Sequence, residues 1–400
     1  MIFPNLTLPR RQKTISAEPR KRNGTQTGHR WPVAILGVPI DPVTMDEALD
    51  RIDAMVRSGR PHYVVTPNVD FLVQARRDAE LHRILLEADL VLCDGQPLVW
   101  ASRWLGNSLP GRVAGADLAP RLIARAEQKG YRLFLLGATP EANARAVARL
   151  RDSHPGLVVA GHYSPPFRPL TETDQAEIAR RIREARPDIL FVSFGCPKQE
   201  KWIARHYRAL GVPVALGMGA TIDFLAGQVR RAPVWMRGAG LEWLFRLAQE
   251  PRRLFRRYAT NLRCFGGAIF VQCWLMRRAA RRCKPGSAVA FFETGRAWRR
   301  VKVSGALDRS AIERAAGVWQ QLGADDHDCL LDLRTVDFID STGAAVLARR
   351  WKQLHAAGHR LVLQSPSQAV RRALARLSLL DCFEIVGATP PAGPVSSKAA

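Results

Sequence analysis

The sequence predicts a two-domain α/β protein, in which a Rossmann-like parallel sheet with helices on both faces is followed by a basic helical segment and a smaller α/β unit. Three observations lead there. From Trp31 onward, short Val-, Leu- and Ile-rich runs alternate with amphipathic stretches, the pattern of buried parallel strands and their crossover helices. That alternation stops over residues 236–284 and then resumes. At 400 residues the chain is long enough for two hydrophobic cores.

Taken in order, residues 1–30 hold seven Lys/Arg against one acid, show no periodicity, and read as a disordered basic arm. No apolar segment follows those basic residues, so a signal peptide is not expected. Residues 31–235 form the first domain. Its strands are expected at His62–Thr66, Leu90–Cys93, Tyr131–Leu136, Leu157–Ala160, Asp188–Ser193 and Pro213–Leu216, with helices such as Asp117–Lys129 and Glu141–Ser153. Residues 236–284 carry twelve Lys/Arg against two acids, much of the excess behind the net charge of +24. Apolar residues from Leu244 to Tyr258 recur there at helical spacing, and Pro251 should split the stretch into two short helices. The apolar run Cys264–Met276 is shorter than the roughly 17–25 residues that cross a bilayer, and is expected to lie in a membrane interface.

Lys284–Ser287 reads as a linker. The second domain, 288–386, is expected to have strands near Ala288–Phe292, Arg299–Val303, Cys329–Leu333 and Arg360–Leu363, with helices at Arg309–Leu322, Ser341–Ala357 and Ser367–Leu377. Residues 387–400 read as a disordered tail. The seven cysteines form no CxxC pair, which fits a reducing cytosol better than a disulfide framework or a zinc site.

Ligands of such sheets bind beyond the C-terminal ends of the strands. Thr66–Asn68, Asp94–Gly95, Gly137, Gly195–Glu200 and Gly217–Asp223 fall there. Asp94 ends an apolar strand, where a carboxylate could take a proton from a hydroxyl. Asp-Gly is also a common turn pair, and on spacing alone the turn is the favoured reading. Thr66 and Asn68 could hold a hydroxyl or cap the next helix, and alone the cap is favoured. Arg112, in a glycine-flanked loop, could meet a diphosphate or simply face water. In Gly217–Asp223, small residues could let backbone N–H groups approach a phosphate with Asp223 near a ribose; a tight turn explains them equally well.

Together and in order, Thr66-Pro-Asn68, Asp94-Gly95, Arg112-Val-Ala-Gly115, Phe134-Leu-Leu-Gly137, Gly195-Cys-Pro-Lys-Gln-Glu200, Asp223-Phe-Leu-Ala-Gly227, Arg231-Ala-Pro233, Leu241-Glu-Trp-Leu-Phe-Arg246 and Glu250-Pro-Arg-Arg253 resemble the WecG/TagA/CpsF glycosyltransferase family over about residues 35–260. The resemblance implies inverting transfer of a hexose-type sugar from UDP to a polyprenyl-diphosphate-linked saccharide on the cytoplasmic face of the plasma membrane, in exopolysaccharide, capsule or surface-glycan assembly. It implies Asp94 as general base, Thr66 and Asn68 lining the pocket, Arg112 supporting the donor diphosphate, and Gln199 and Asp223 in the nucleotide-sugar region. It also implies that Arg246, Arg253 and Arg256 sit on an appendage that docks on the membrane and completes the site. No cofactor or metal is expected: no Asp-x-Asp motif occurs between Trp31 and Arg237, so cationic side chains and helix N-termini would stabilise the leaving diphosphate.

Basic segments could also bind nucleic acid, but no stacking aromatics or recognisable module accompany them, so an anionic membrane surface is the expected partner. In the second domain, the run Leu330–Asp340 leading into Ser341-Thr342-Gly343 resembles STAS domains, the family of anti-sigma-factor antagonists, over about residues 288–386. By that resemblance either Ser341 is a regulatory phosphosite that changes partner choice or the domain is a docking module with an unused serine, and the residues alone read as simple capping of a helix by Asp340 or Ser341. A different class of function is a non-catalytic, membrane-anchored STAS regulator on a degenerate transferase core; retention of every motif argues against it.

Overall fold

The computed structural model describes residues 30–228, 232–233, 235–236, 242–249, 251–281, 283, 288–294, 298–322 and 327–387. The expected basic arm (apart from Arg30), the linker Lys284–Ser287 and the tail beyond Gly387 lie outside them. The chain clusters into two compact units, Pro32–Trp274 and a second that holds the chain from Leu275 onward.

The first unit opens with a hairpin that the sequence reading did not resolve, β1 (Val33–Ile35) and β2 (Val38–Ile40), paired antiparallel. Leu36 and Gly37 take positive φ at its turn. Six parallel strands follow: β3 (His62–Val65), β4 (Leu90–Val91), β5 (Arg132–Gly137), β6 (Val158–Tyr163), β7 (Ile189–Ser193) and β8 (Val214–Gly217). They are ordered β4-β3-β8-β7-β5-β6. The crossovers carry α1 (Met45–Ser58), α2 (Val69–Ala75), α3 (Ala79–Glu87), α4 (Gln96–Trp104), α5 (Gly115–Lys129), α6 (Pro140–Ser153), α7 (Glu172–Ala185), α8 (Lys198–Leu210) and α9 (Thr221–Leu225).

The inner strands are apolar apart from their ends (His62, Arg132 and Ser193) because both faces are covered, while β6 at the sheet edge is only partly buried. Phe134, Leu136, Leu190 and Val192 enter one core with Tyr63 and Trp202, while Leu133, Leu135, Ile189 and Phe191 enter the other with Ile52 and Leu122. Alternate residues of a strand point to opposite faces, so a doubly covered strand loses the polar half of its pattern.

Two further helices complete this part of the chain, α10 (Glu242–Gln249) and α11 (Pro251–Ala280). Pro251 separates them as expected, but α11 is 30 residues long, not short. Proline at the first helical position costs nothing, because its missing N–H has no partner there anyway. The helix then continues because one of its faces is packed: Leu254, Phe265, Ile269 and Cys273 are buried. Polar pins add register. Arg257 and Asn261 reach Asp70 at 2.7 and 2.9 Å. Gln272 donates to Ala34 O at 2.9 Å and accepts from Leu36 N at 3.0 Å, closing the β1–β2 turn. The stretch Cys264–Met276, expected to lie in a membrane interface, forms part of this helix and is packed on one side only. The protein's own core takes one face, and the exposed face carries Phe270, Val271 and Trp274. No described helix is long and apolar enough to cross a membrane.

The second unit has β9 (Ala288–Thr294), β10 (Trp298–Leu307), α12 (Arg309–Arg314), α13 (Ala316–Gln321), β11 (Asp328–Ile339), α14 (Ser341–Ala356), β12 (Leu361–Gln364), α15 (Gln368–Arg376) and β13 (Glu384–Val386). Its sheet order is β13-β12-β11-β10-β9, with only β9 antiparallel to its neighbour. The single helix expected over Arg309–Leu322 is two, divided where Ala315 leaves helical geometry. Gly343, in the first turn of α14, packs so closely that a Cβ would lie 2.1 Å from the Leu307 carbonyl oxygen.

Gln272→Ala should cost about 2–4 kcal/mol by orphaning two backbone groups under α11. Urea unfolding with an unchanged midpoint would show that these bonds do not hold the helix.

Candidate active site

The site is built where β3, β4, β7 and β8 stop. These four strands are neighbours in the sheet, so the loops that leave their C-terminal ends share one rim. Beyond β3 comes Thr66, buried, with its hydroxyl close to Gly115 at the start of α5. Asn68 follows as the N-cap of α2, its Oδ1 accepting from Asp70 N at 3.0 Å and Phe71 N at 3.3 Å. The capping reading of Asn68 therefore holds, and its Nδ2 end is what remains to meet a ligand.

Beyond β4, Asp94 donates its backbone N–H to Pro67 O, which ties the two loops together at 3.0 Å. Its carboxylate accepts from Gly115 N at 3.4 Å, at the N-terminus of α5. That is a favourable place for a negative charge. Val113 N–H donates to Cys93 O at 2.8 Å and brings the Arg112 loop alongside. Thr66, Asn68, Asp94 and Arg112 thus stand together.

Arg112 is half-buried and held by two carboxylates, Asp117 on Nη2 at 2.7 Å and Glu242 on Nη1 at 2.8 Å. Burial works against its charge, but Glu242, Asp94 and Asp117 outweigh that and raise its pKa. Glu242 opens α10, so the guanidinium expected to serve a diphosphate also docks the helical segment. Sequence reasoning did not single out Glu242. It stood within the motif Leu241-Glu-Trp-Leu-Phe-Arg246 without a role of its own.

The β7 and β8 loops meet through Gln199. Buried at the start of α8, it accepts from Gly195 N at 3.2 Å and Gly219 N at 3.0 Å through Oε1, and donates to Glu200 Oε1 at 2.7 Å. This alters one expectation: the Gly219 amide faces Gln199, and Met218 N–H is spent on Val192 O, so neither is aimed at a phosphate. Asp223 lies in the first turn of α9, half-exposed, with its pKa raised by burial. Burial also pushes the Glu200 carboxyl up to about 7, against the hydrogen bond from Gln199.

Arg246, Arg253 and Arg256 fall on α10 and α11, the first two with side chains outside the described residues. Arg256 is exposed and, with Arg252, borders a groove of about 580 Å³ lined by Leu244, Leu247, Ala248, Pro251 and Phe255. No group of three or more His, Cys, Asp or Glu converges among the described residues.

The family model described as "Glycosyl transferase WecG/TagA/CpsF family" matches residues 33–279. The chain belongs to that family. It is a glycosyltransferase, and its catalytic part is fused to a STAS domain, matched over residues 294–390. Among curated relatives of this WecG/TagA/CpsF-family chain, the N-acetylglucosaminyldiphosphoundecaprenol N-acetyl-beta-D-mannosaminyltransferase of Bacillus spizizenii is 35% identical over 191 residues, 48% of this chain and 72% of the relative. The enzyme of the same name from Bacillus subtilis is 33% identical over 190 residues, with the same coverage. That of Staphylococcus aureus strain MW2 is 29% identical over 226 residues, 56% of this chain and 87% of the relative. The solved structure of the anti-sigma factor antagonist SpoIIAA in its unphosphorylated form aligns with 26% of this chain and 89% of its own, at 23% identity and a TM-score of 0.23. The STAS assignment rests on the family model.

In that domain Asp340 is the N-cap of α14, accepting from Gly343 N at 2.7 Å and Arg309 N at 3.0 Å. Burial raises its pKa to about 6, against those backbone bonds. Ser341 follows, fully buried, its Oγ 3.1 Å from Met276 Sδ.

The Glu200 titration gives a signed prediction. Its carboxyl moves from 4.5 to about 7 on folding, so between those values the folded chain keeps a proton that the unfolded chain has lost. Stability contributed by this group is therefore present below about 4.5 and falls as pH rises to about 7. Glu200→Gln should gain thermal stability relative to the wild type between pH 5 and pH 8. A melting difference flat across that interval would contradict the shifted carboxyl.

Proposed function

We propose that this glycosyltransferase moves a hexose-type sugar from a UDP-sugar onto a polyprenyl-diphosphate-linked saccharide, with inversion, at the cytoplasmic face of the plasma membrane. The product would feed exopolysaccharide, capsule or other surface-glycan assembly. The observation that carries this reading is the meeting of Thr66, Asn68, Asp94 and Arg112 at the strand ends of a chain from this family. Its relatives are named for mannosaminyl transfer to N-acetylglucosaminyldiphosphoundecaprenol.

In the proposed reaction Asp94 takes the proton of an acceptor hydroxyl, and the oxygen attacks the anomeric carbon from the face opposite the nucleotide. The bond to the diphosphate breaks and UDP leaves with the electron pair. Thr66 and the Asn68 amide orient the hydroxyls. Arg112 supplies positive charge to the leaving diphosphate, together with the arginines of α10 and α11, so no metal is needed for that role. Asp223 stands where the nucleotide-sugar would lie.

The surface around α10 and α11 fits a lipid-borne acceptor. Phe255, Phe270 and Trp274 are exposed among arginines, and Trp100 and Trp104 are exposed on α4, directly after Asp94. Aromatic and basic side chains together suit the boundary between head groups and acyl chains. The STAS domain is proposed to dock a protein partner, with Ser341 as its regulated position. Because Ser341 is fully enclosed beside Met276, a negative charge there must push the end of α11 away.

Three outcomes are expected. Asp94→Asn should lower turnover by about 10²–10⁴, the usual worth of a general base, while calorimetry shows UDP still bound; a near-normal rate would remove Asp94 from that role. The wild-type chain should float with vesicles containing anionic lipid and lose that association in Phe270→Asp/Trp274→Asp, whereas retention of duplex DNA in place of flotation would favour nucleic-acid binding. Ser341→Asp should speed tryptic cleavage after Arg277 and Arg278, and unchanged cleavage would mean that the buried serine does not control this segment.

A further inference from the structure

We propose that Glu200 is a positioning residue for the donor site: it fixes the Gln199 side chain that ties the loop after β7 to the loop after β8, and so sets where Asp223 stands. The ligand in this inference rests on the UDP-sugar reading above; the brace does not.

The geometry is closed on every side but one. Gln199 Oε1 takes the amides of Gly195 and Gly219, one from each loop. Its Nε2 donates to Glu200 Oε1 at 2.7 Å. Both side chains are 2% exposed. Gly217, the last residue of β8, lies against the pair so tightly that a Cβ there would sit 2.8 Å from Gln199 Nε2 and 2.8 Å from Glu200 Oε1. From Gly219 the chain runs directly into α9, with Thr221 N–H on Met218 O at 3.0 Å, and reaches Asp223 within that helix. Movement of the Gln199 amide therefore moves the start of α9.

A glutamine alone cannot hold this arrangement. Its amide ends are nearly equal in size, and a flipped Gln199 would aim NH₂ at two backbone N–H groups and lose both bonds. Glu200 Oε1 accepts from Nε2 whether or not the carboxyl holds a proton on Oε2, whereas a flipped Gln199 would set its own carbonyl oxygen against Oε1, so Glu200 favours the bridging orientation. The cost is plain in the same place: the Glu200 carboxyl is buried, and Oε2 has no nitrogen or oxygen partner, only the Cys196 thiol near the carboxyl, in a position where an apolar side chain would avoid the desolvation. A group retained at that cost, next to the loops that carry the donor residues, points to positioning and not to core filling.

The test uses the full chain and four variants: Glu200→Ala, Glu200→Gln, Asp223→Asn and Glu200→Ala/Asp223→Asn. With UDP-sugar and lipid-linked acceptor, Glu200→Ala should raise the donor KM about tenfold with a smaller change in kcat. Glu200→Gln, whose Oε1 can still accept from Gln199, should return KM to within about threefold of wild type. In the Asp223→Asn background, Glu200→Ala should add less than about twofold, because both act on one element. Wild-type KM in Glu200→Ala, a Gln variant as defective as the Ala variant, or fully multiplying effects would each overturn the proposal. Amide hydrogen exchange gives a reading without substrate: Gly195 and Gly219 should stay protected in the wild type and Glu200→Gln, and exchange faster in Glu200→Ala. If the wild type turns over no UDP-sugar, the proposed function fails while these two amides still decide the brace; equal protection in all three proteins would overturn it.

Discussion

The site depends first on the level at which parallel strands stop. β3 is held between β4 and β8 by ladders that pair Val64 with Leu90 and with Leu216. β8 is in turn registered on β7, with Leu216 opposite Phe191. These pairings put the ends of four strands on one rim, and a one-residue slip would carry every side chain of a strand to the other core. Because both faces are apolar and filled, slippage would exchange differently shaped packing partners along the strand. Packing of the cores is thus what fixes the loop positions.

Once the loops are placed, their polar groups must be satisfied where water is scarce. The chain does this mostly with side chains that also belong to the candidate site. Asn68 caps α2, Asp94 meets the first amide of α5, and Gln199 takes one amide from each of two loops. Each residue therefore has a structural reason to be where it is; Asn68 keeps its Nδ2 end for the site, while Gln199 spends both ends of its amide on the brace. The capping and catalytic readings of Asp94 and Asn68 are complementary. A group oriented by backbone bonds is already ordered before a substrate arrives, which lowers the entropy lost in reaching a reactive geometry.

Much of this was legible in the sequence, and the limits have physical causes. Six parallel strands and the α5 and α6 helices follow from apolar runs and amphipathic spacing, because doubly covered strands leave an unbroken hydrophobic signal. The strand-end residues follow from the rule that open α/β sheets bind ligands there. The β1–β2 hairpin was missed since its three-residue strands carry too little pattern, and its turn uses Leu36 at positive φ, which no Asn-Gly or Asp-Gly announces. The length of α11 was missed because its pins, Asn261 and Gln272, are polar residues whose partners lie far away in sequence, at Asp70 and at Ala34 and Leu36. Glu242 was passed over for the same reason, since its partner Arg112 is remote in sequence, whereas Glu200 has its partner Gln199 next to it and only the fold shows that both are buried. A buried acid is recognised by its burial and its neighbour, and local spacing does not show the two together.

The helical segment shows why charge alone underdetermined its role. A concentration of arginine predicts a phosphate-rich partner but says nothing about which face is free to meet it. In the structure the question is decided by subtraction. Leu254, Phe265, Ile269 and Cys273 belong to the core and Asn261 is buried on Asp70, so those groups are unavailable to any outside surface, while Arg257 pairs with Asp70 and stays half-exposed. What remains outward is Phe255, Leu262, Phe270 and Trp274 with Arg252 and Arg256, an apolar and cationic mixture that water alone does not favour. A helix pinned at Asp70 and at the β1–β2 turn cannot swing freely. Any surface it engages is therefore held at a fixed distance from Asn68, whose helix begins two residues before Asp70. Under the proposed reading, that fixed distance is how a lipid-borne acceptor would be presented to Asp94 without a spanning anchor on the described helices.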